Sequence, residues 1–159
     1  MNNFPEFYFE GIGGCKSFNF IPITDVDEIP YTISDTLTSS VQLKSAKQWY
    51  TGMALPRTLS VVEKYNPARQ TYNYVILGRA RGTDSEIVSL FSDMAGRKFL
   101  IDIEDNNSNR RLIGCNDYGA SFSWEHDTSE TPSGRNDFKF TFEIELTEPA
   151  KIYAPTELS

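Results

Sequence analysis

The chain has 159 residues, 39% of them hydrophobic, with 11 Phe and 8 Tyr. That length predicts one domain with an ample core, and the aromatic bias favours sheet over helix. The net charge is −7 and the pI about 4.7, which excludes a global nucleic-acid-binding surface, since neutralising phosphates takes clustered Lys and Arg.

Met1–Glu6 lacks the basic start and apolar centre of a signal peptide. The longest apolar runs, Tyr74–Leu77 and Phe99–Ile101, are too short to cross a bilayer, so no membrane segment is expected. Cys15 and Cys115 read as free thiols.

In chain order, Phe7 and Phe9 alternate with Tyr8 and Glu10, and Phe18 and Phe20 with Ser17 and Asn19. This predicts two strands joined by a glycine turn. Pro22 and Pro30 bracket an acidic loop. From Tyr31 to Met53 the pattern weakens: Val41 and Leu43 suggest one short strand, and Lys44–Tyr50 suggests a helical turn. A long polar stretch of this kind is either mobile or ordered by a partner, and it is the expected contact arm.

Leu59 and Val61 share one face of a strand over Arg57–Lys64, with Val62 on the other. Asn66-Pro67-Ala68-Arg69 is turn chemistry, and Tyr72–Leu77 completes a hairpin. Thr83 and Glu86 have capping-box spacing. Ile87, Val88, Leu90, Phe91 and Met94 form an apolar helical stripe, and Gly96 ends the helix. Phe99–Ile103 is a strand, Asp105–Asn109 a hairpin loop and Arg111–Cys115 the return. Gly114 and Gly119 mark a bend or bulge, followed by a strand through Ala120, Phe122 and Trp124.

After a polar loop from His126 to Asp137 comes the clearest pattern in the chain. Phe138, Phe140, Phe142, Ile144 and Leu146 fall on one side, and Lys139, Thr141, Glu143 and Glu145 on the other. Pro149 closes this strand. Its Phe face needs a large apolar partner, and the helix over Thr83–Ala95 is the expected one. The expected fold is mainly β (α+β): an antiparallel β-sandwich or open barrel with one packed α-helix.

Chemical motifs fail on their own terms. Gly11–Ser17 lacks the Gly before Lys16 that a phosphate loop needs, since Cys15 stands there. The Asp102–Asn109 stretch lacks the Gly and Glu of a calcium loop and reads as a tip held by Asx turns. His126, the only histidine, has no aligned nucleophile, and Glu143 and Glu145 sit on a solvated face. No catalytic, cofactor-binding or metal-ligating residue is expected, and the chain does not read as an enzyme.

The run from Phe9 to Lys16, followed by Phe18, Phe20, Ile21 and Pro22, resembles the start of tail-associated virion proteins of bacteriophages and prophages. The far end is similar to the same group: Arg111–Gly114, Phe122, the acidic loop, Arg135-Asn136-Asp137, and the alternating strand closing at Pro149 and Tyr153. The resemblance to this tail-tube-like family implies a β-sandwich or open barrel that assembles into stacked rings around a DNA channel. It implies a homo-oligomer within the virion, in contact with other tail proteins, with DNA only as passing cargo, and carries over no site residues. The alternative is a β-sandwich binding module for carbohydrate, with Trp49 and Tyr50 as the exposed aromatics.

Overall fold

A computed structural model describes residues 13–81, 85–128, 130 and 136–156. The expected strand through Phe7 and Phe9 and the capping residue Thr83 lie outside the described residues. The elements run β1 (Cys15–Pro22), a 3-10 turn (Ile23–Asp25), β2 (Val26–Glu28), β3 (Thr36–Leu37), β4 (Gln42–Leu43), β5 (Tyr50–Gly52), β6 (Ser60–Asn66) and β7 (Thr71–Arg81). They continue with α1 (Ser85–Met94), β8 (Lys98–Asp105), β9 (Arg110–Ile113), β10 (Ala120–Asp127), β11 (Asp137–Leu146) and β12 (Lys151–Tyr153).

Ten strands share one sheet that forks at β8. One edge of β8 pairs with β1. The other carries β9 along Ile101–Glu104 and β10 at Lys98–Phe99. From the fork one layer runs β5-β1-β8-β9-β12-β3 and the other β10-β11-β7-β6. The corner between β9 and β10 is tight. A Cβ on Gly119 would lie 2.8 Å from the backbone nitrogen of Phe99, and Gly114 holds a φ of 129°.

The two layers meet through aromatic side chains. From β1, the Phe18 ring centroid lies 5.7 Å from Phe140 and 5.9 Å from Phe142 on β11. Phe99 of β8 meets Phe142 edge-on at 5.8 Å. Such pairs add about 0.5–1.5 kcal/mol each beyond the area they bury. The five alternating apolar residues of β11 are all buried, as the pattern requires. Phe91 of α1 stands edge-on to Phe138 at 5.7 Å and lies 6.1 Å from Phe140. The expected helix-on-strand packing is therefore present.

Two glycines make room for this core. Gly78 sits directly opposite Phe140, and Gly52 directly opposite Phe18. A Cβ would fall 2.2 Å from the Phe140 ring in the first case and 2.0 Å from the Phe18 ring in the second. β7 continues to Arg81, past the Leu77 end that periodicity suggests, because Gly78–Arg81 pair with Asp137–Phe140 of β11.

A second core lies on the outer face of the first layer. There Ile21, Leu100 and Leu112 pack with Val26, Leu37, Val41 and Tyr153. The strand β8 is thus buried on both faces, Phe99, Ile101 and Ile103 toward one core and Leu100 toward the other. Asp102, 4% exposed, also lies on this second face. Its carboxylate accepts from both Nε (3.2 Å) and Nη2 of Arg110. The Arg110 guanidinium lies 5.0 Å over the Tyr153 ring, and the Tyr153 hydroxyl accepts the Val41 N–H at 3.3 Å. The Asp102 carboxylate, hydrogen bonding to Arg110, raises the arginine pKa further above its ordinary value.

Several expectations change. The acidic loop after Pro22 holds a 3-10 turn and β2, and β2 pairs with β4 in a small two-stranded sheet. The 31–53 stretch carries β3, β4 and β5. It buries Leu37 and Val41 but leaves Tyr31, Ile33 and Met53 exposed. Lys44–Tyr50 holds a turn closed by the Lys47 N–H on the Lys44 carbonyl (3.0 Å), not a helical turn. Only Phe91 and Met94 of the helical stripe are buried, Val88 and Leu90 remaining exposed. The large sheet is mixed rather than purely antiparallel, because β12 follows β11 and pairs parallel with β3.

The buried Tyr74 phenol accepts the Ala150 N–H at 2.7 Å. Burial pushes its pKa up to about 12, and nearby Glu63 adds to the rise. The protonated phenol is the form the fold favours, so its contribution is complete below pH 10 and is lost as pH rises toward 12. That loss is roughly 2–3 kcal/mol. Urea denaturation between pH 9 and 12 should show it, and Tyr74→Phe should remove this component of the slope. Gly78→Val should cost about 1–3 kcal/mol by overpacking against Phe140, read as a lowered urea midpoint.

Candidate functional site

The outer face of the β10-β11-β7-β6 layer is the wet side of the alternating strand. Cross-strand register assembles it row by row. Glu143 lies between Ser121 and Val75, with Val62 beyond. The next row is Ser123, Thr141, Leu77 and Ser60, followed by Glu125, Lys139 and Arg79. The result is an apolar strip of exposed Val62 with half-buried Val75 and Leu77, bordered by charge.

The charges are tied together. The Thr71 hydroxyl donates to Glu145 Oε1 at 2.5 Å, and Arg69 lies 3.5 Å from Oε2 of the same carboxylate. Asn73 donates to Glu143 at 3.4 Å. At the other end Arg79 pairs with the buried Asp137 at 2.6 Å. An open groove of about 790 Å³ follows the Glu143–Glu145 end and is walled by Lys98, Ser121, Asp117 and Tyr118. Tyr118, 64% exposed, is held in a short loop by reciprocal backbone hydrogen bonds with Cys115 of 2.8 and 3.2 Å. Lys98 Nζ donates to the Ser121 hydroxyl across the groove floor.

Within the second layer only β7 pairs with β6 among the described residues; on its other side the start of β6 meets β1, where the Cys15 N–H donates to the Leu59 carbonyl at 3.0 Å and the Val61 backbone bonds the Cys15 thiol. Tyr65 on this strand lies 5.0 Å from Tyr72 across the pair. A second bond between layers is ionic, from Arg111 of β9 to Glu63 of β6.

The other residues singled out from sequence are placed as follows. Trp49 packs half-buried against the second core, while Tyr50 stacks on Phe20 at 5.7 Å. These two aromatics therefore serve different faces. His126 stacks on Phe138 at 4.2 Å, and its Nε2 lies 3.0 Å from Asn136 Oδ1. Asp105 Oδ1 accepts the N–H groups of Asn107 and Asn109 at 2.8 and 2.9 Å, the Asx turns expected of this tip. Burial would raise the Asp105 pKa, but the hydrogen bonds from Asn109 and Asn107 outweigh it and hold the carboxyl below its usual range. Gly14, at a φ of 88°, accepts the Asn106 N–H. Cys15 and Cys115 are free thiols, and burial pushes the Cys15 thiol up.

Periodicity named Glu143 and Glu145 as sharing a wet face. The groove wall at Tyr118 was not legible, because the 115–118 loop and the distant Glu143–Thr147 segment come together only in the fold. The chain matches no protein-family model, no curated protein and no solved structure.

Surface ion pairs contribute about 0–1 kcal/mol and surface substitutions usually change stability by about 0.5 kcal/mol or less. Glu145→Ala and Val62→Glu should therefore leave the urea midpoint nearly unchanged, which frees both residues for a role other than stability.

Proposed function

We propose that this chain is a non-enzymatic structural subunit of a phage tail or related tube-forming particle, working by self-assembly and by contact with neighbouring virion proteins. The observation that carries this reading is the outer face of the second layer. An apolar strip of Val62, Val75 and Leu77 within a charged rim has the composition of a protein–protein contact.

The tied charges at Glu143 and Glu145 suit a face that meets water, a channel or a neighbour. Glu125, Glu143 and Glu145 on this face are interspersed with Arg69, Lys98 and Lys139, so it offers passing DNA no continuous basic track. The resemblance seen in the sequence points to the same class of assembly, which would place the protein in the virion.

A second reading has one observation in its favour: exposed Tyr118 stands beside a broad polar groove, as a sugar ring would require. Calorimetry against a glycan panel should give heat that Tyr118→Ala abolishes if the protein is a carbohydrate-binding module.

For the leading reading, light scattering and electron microscopy of the purified protein should show concentration-dependent growth into rings or tubes. A protein that stays monomeric at high concentration, and is absent from any particle, rules it out.

A further inference from the structure

Strand register lays out the outer face of the second layer as a grid. One row, Ser123, Thr141, Leu77 and Ser60, carries no charge. On one side of it stand Glu125, Lys139 and Arg79, with Asp127, Asp137 and Arg81 beyond. On the other side stand Ser121, Glu143, Val75 and Val62, followed by Glu145, Asn73 and Lys64. Lys98 pairs with Ser121 at the margin of this second half.

Signs invert across the uncharged row. On β11 Lys139 precedes Thr141 by two residues and Glu143 follows it by two. At the β10 margin Glu125 lies on one side and Lys98 on the other. Lys98, Glu125 and Lys139 make no ion pair among the described residues. A half-turn about the uncharged row, in the plane of the face, therefore carries each of them onto a position of opposite sign. Asp137 and Glu145 fall opposite one another, but each is already paired within its own chain, with Arg79 and Arg69.

We infer that this face packs against the same face of a second copy of the chain, across a two-fold axis along the uncharged row. Lys139 of the second copy then enters the groove of about 790 Å³ beside Glu143, Glu145 and Asp117, against the exposed Tyr118. Glu125 of the second copy faces Lys98. Leu77 meets its own counterpart at the axis, and Val75 meets the aliphatic stem of the second copy's Arg79. Complementary charge of this kind steers encounter and fixes orientation.

The geometry suits two stacked sheets. Such sheets pack about 10 Å apart with their strands within about 30° of alignment, and a half-turn about this axis leaves the strands of the two copies antiparallel. Four strands at about 4.8 Å spacing and about 30 Å of strand length give roughly 600 Å² per copy, at the lower end of a stable interface.

A contact of this type is isologous and closes on itself. It joins copies in pairs, and growth into rings then uses a different surface. The inference rests on the self-assembly proposed above and names the partner that this face takes, a neighbour rather than water or a channel.

The test is sedimentation of the full chain. Lys139→Glu and Glu143→Lys, both at exposed positions, should keep the thermal midpoint of the parent. Each should weaken pairing by roughly tenfold or more, because like charges then meet twice across the axis. Mixing the two single variants should restore pairing, and so should the double variant Lys139→Glu/Glu143→Lys. If the parent associates and neither variant weakens it, or the exchange of charges restores nothing, this contact is wrong while self-assembly stands. If the variants behave as expected but the parent stops at dimers and no ring, tube or particle is seen, the contact stands and the tube-forming reading fails. If the parent stays monomeric at high concentration, both fail together, leaving the face to a partner other than this chain.

Discussion

The double burial of β8 is the constraint on which the structure rests. A strand covered on one face alternates apolar and polar residues, whereas β8 reads Phe-Leu-Ile-Asp-Ile and must be covered on both. One cover is the phenylalanine-rich second layer. The other is the segment from Ile23 to Trp49, a run with little regular structure that nevertheless supplies Val26, Leu37 and Val41. The one ionisable residue on the covered part of the strand, Asp102, is tolerated because Arg110 meets it with two hydrogen bonds and Tyr153 lies against the guanidinium. Removing one partner of a buried pair strands the other charge, so the second core depends on the pair staying whole.

Packing in the first core is a matter of matched sizes. Phenylalanine rings on one strand lie over glycines on the strand beside it, at Phe140 and Gly78 and again at Phe18 and Gly52. The rings can then lean inward and meet between layers instead of crowding their own sheet. This accounts for a core with so many phenylalanines that still closes. Where the arrangement does not close completely, beneath α1, the leftover space is apolar and faces the edge of the molecule.

Much of the architecture was legible in the residues because it rests on local rules. The two-residue period of Phe138–Leu146, the helical stripe ending at Gly96 and the Asn66 turn each follow from neighbouring side chains. What was not legible depends on distant contacts. Thr36–Leu37 forms a strand only because Ile152–Tyr153 lies beside it, and neither pair shows a period of its own. Val88 and Leu90 carry the helical pattern but stay exposed where α1 lies on the sheet, which sequence spacing cannot reveal. At the candidate site the strand residues were readable and the loop bearing Tyr118 was not, for the same reason.

The placement of β12 between β9 and β3 has a consequence in time. It joins a segment near residue 36 to one near residue 111 through residues 151–153, so the second core cannot close until residue 153 is available. Pairings that span so much chain form slowly, because loop closure comes before the contacts that reward it. Leu37, Leu100 and Leu112 stay uncovered during that interval. A chain synthesised only as far as β11 therefore presents an unfinished surface, and completion of the fold is timed by its late strand rather than by its strongest one.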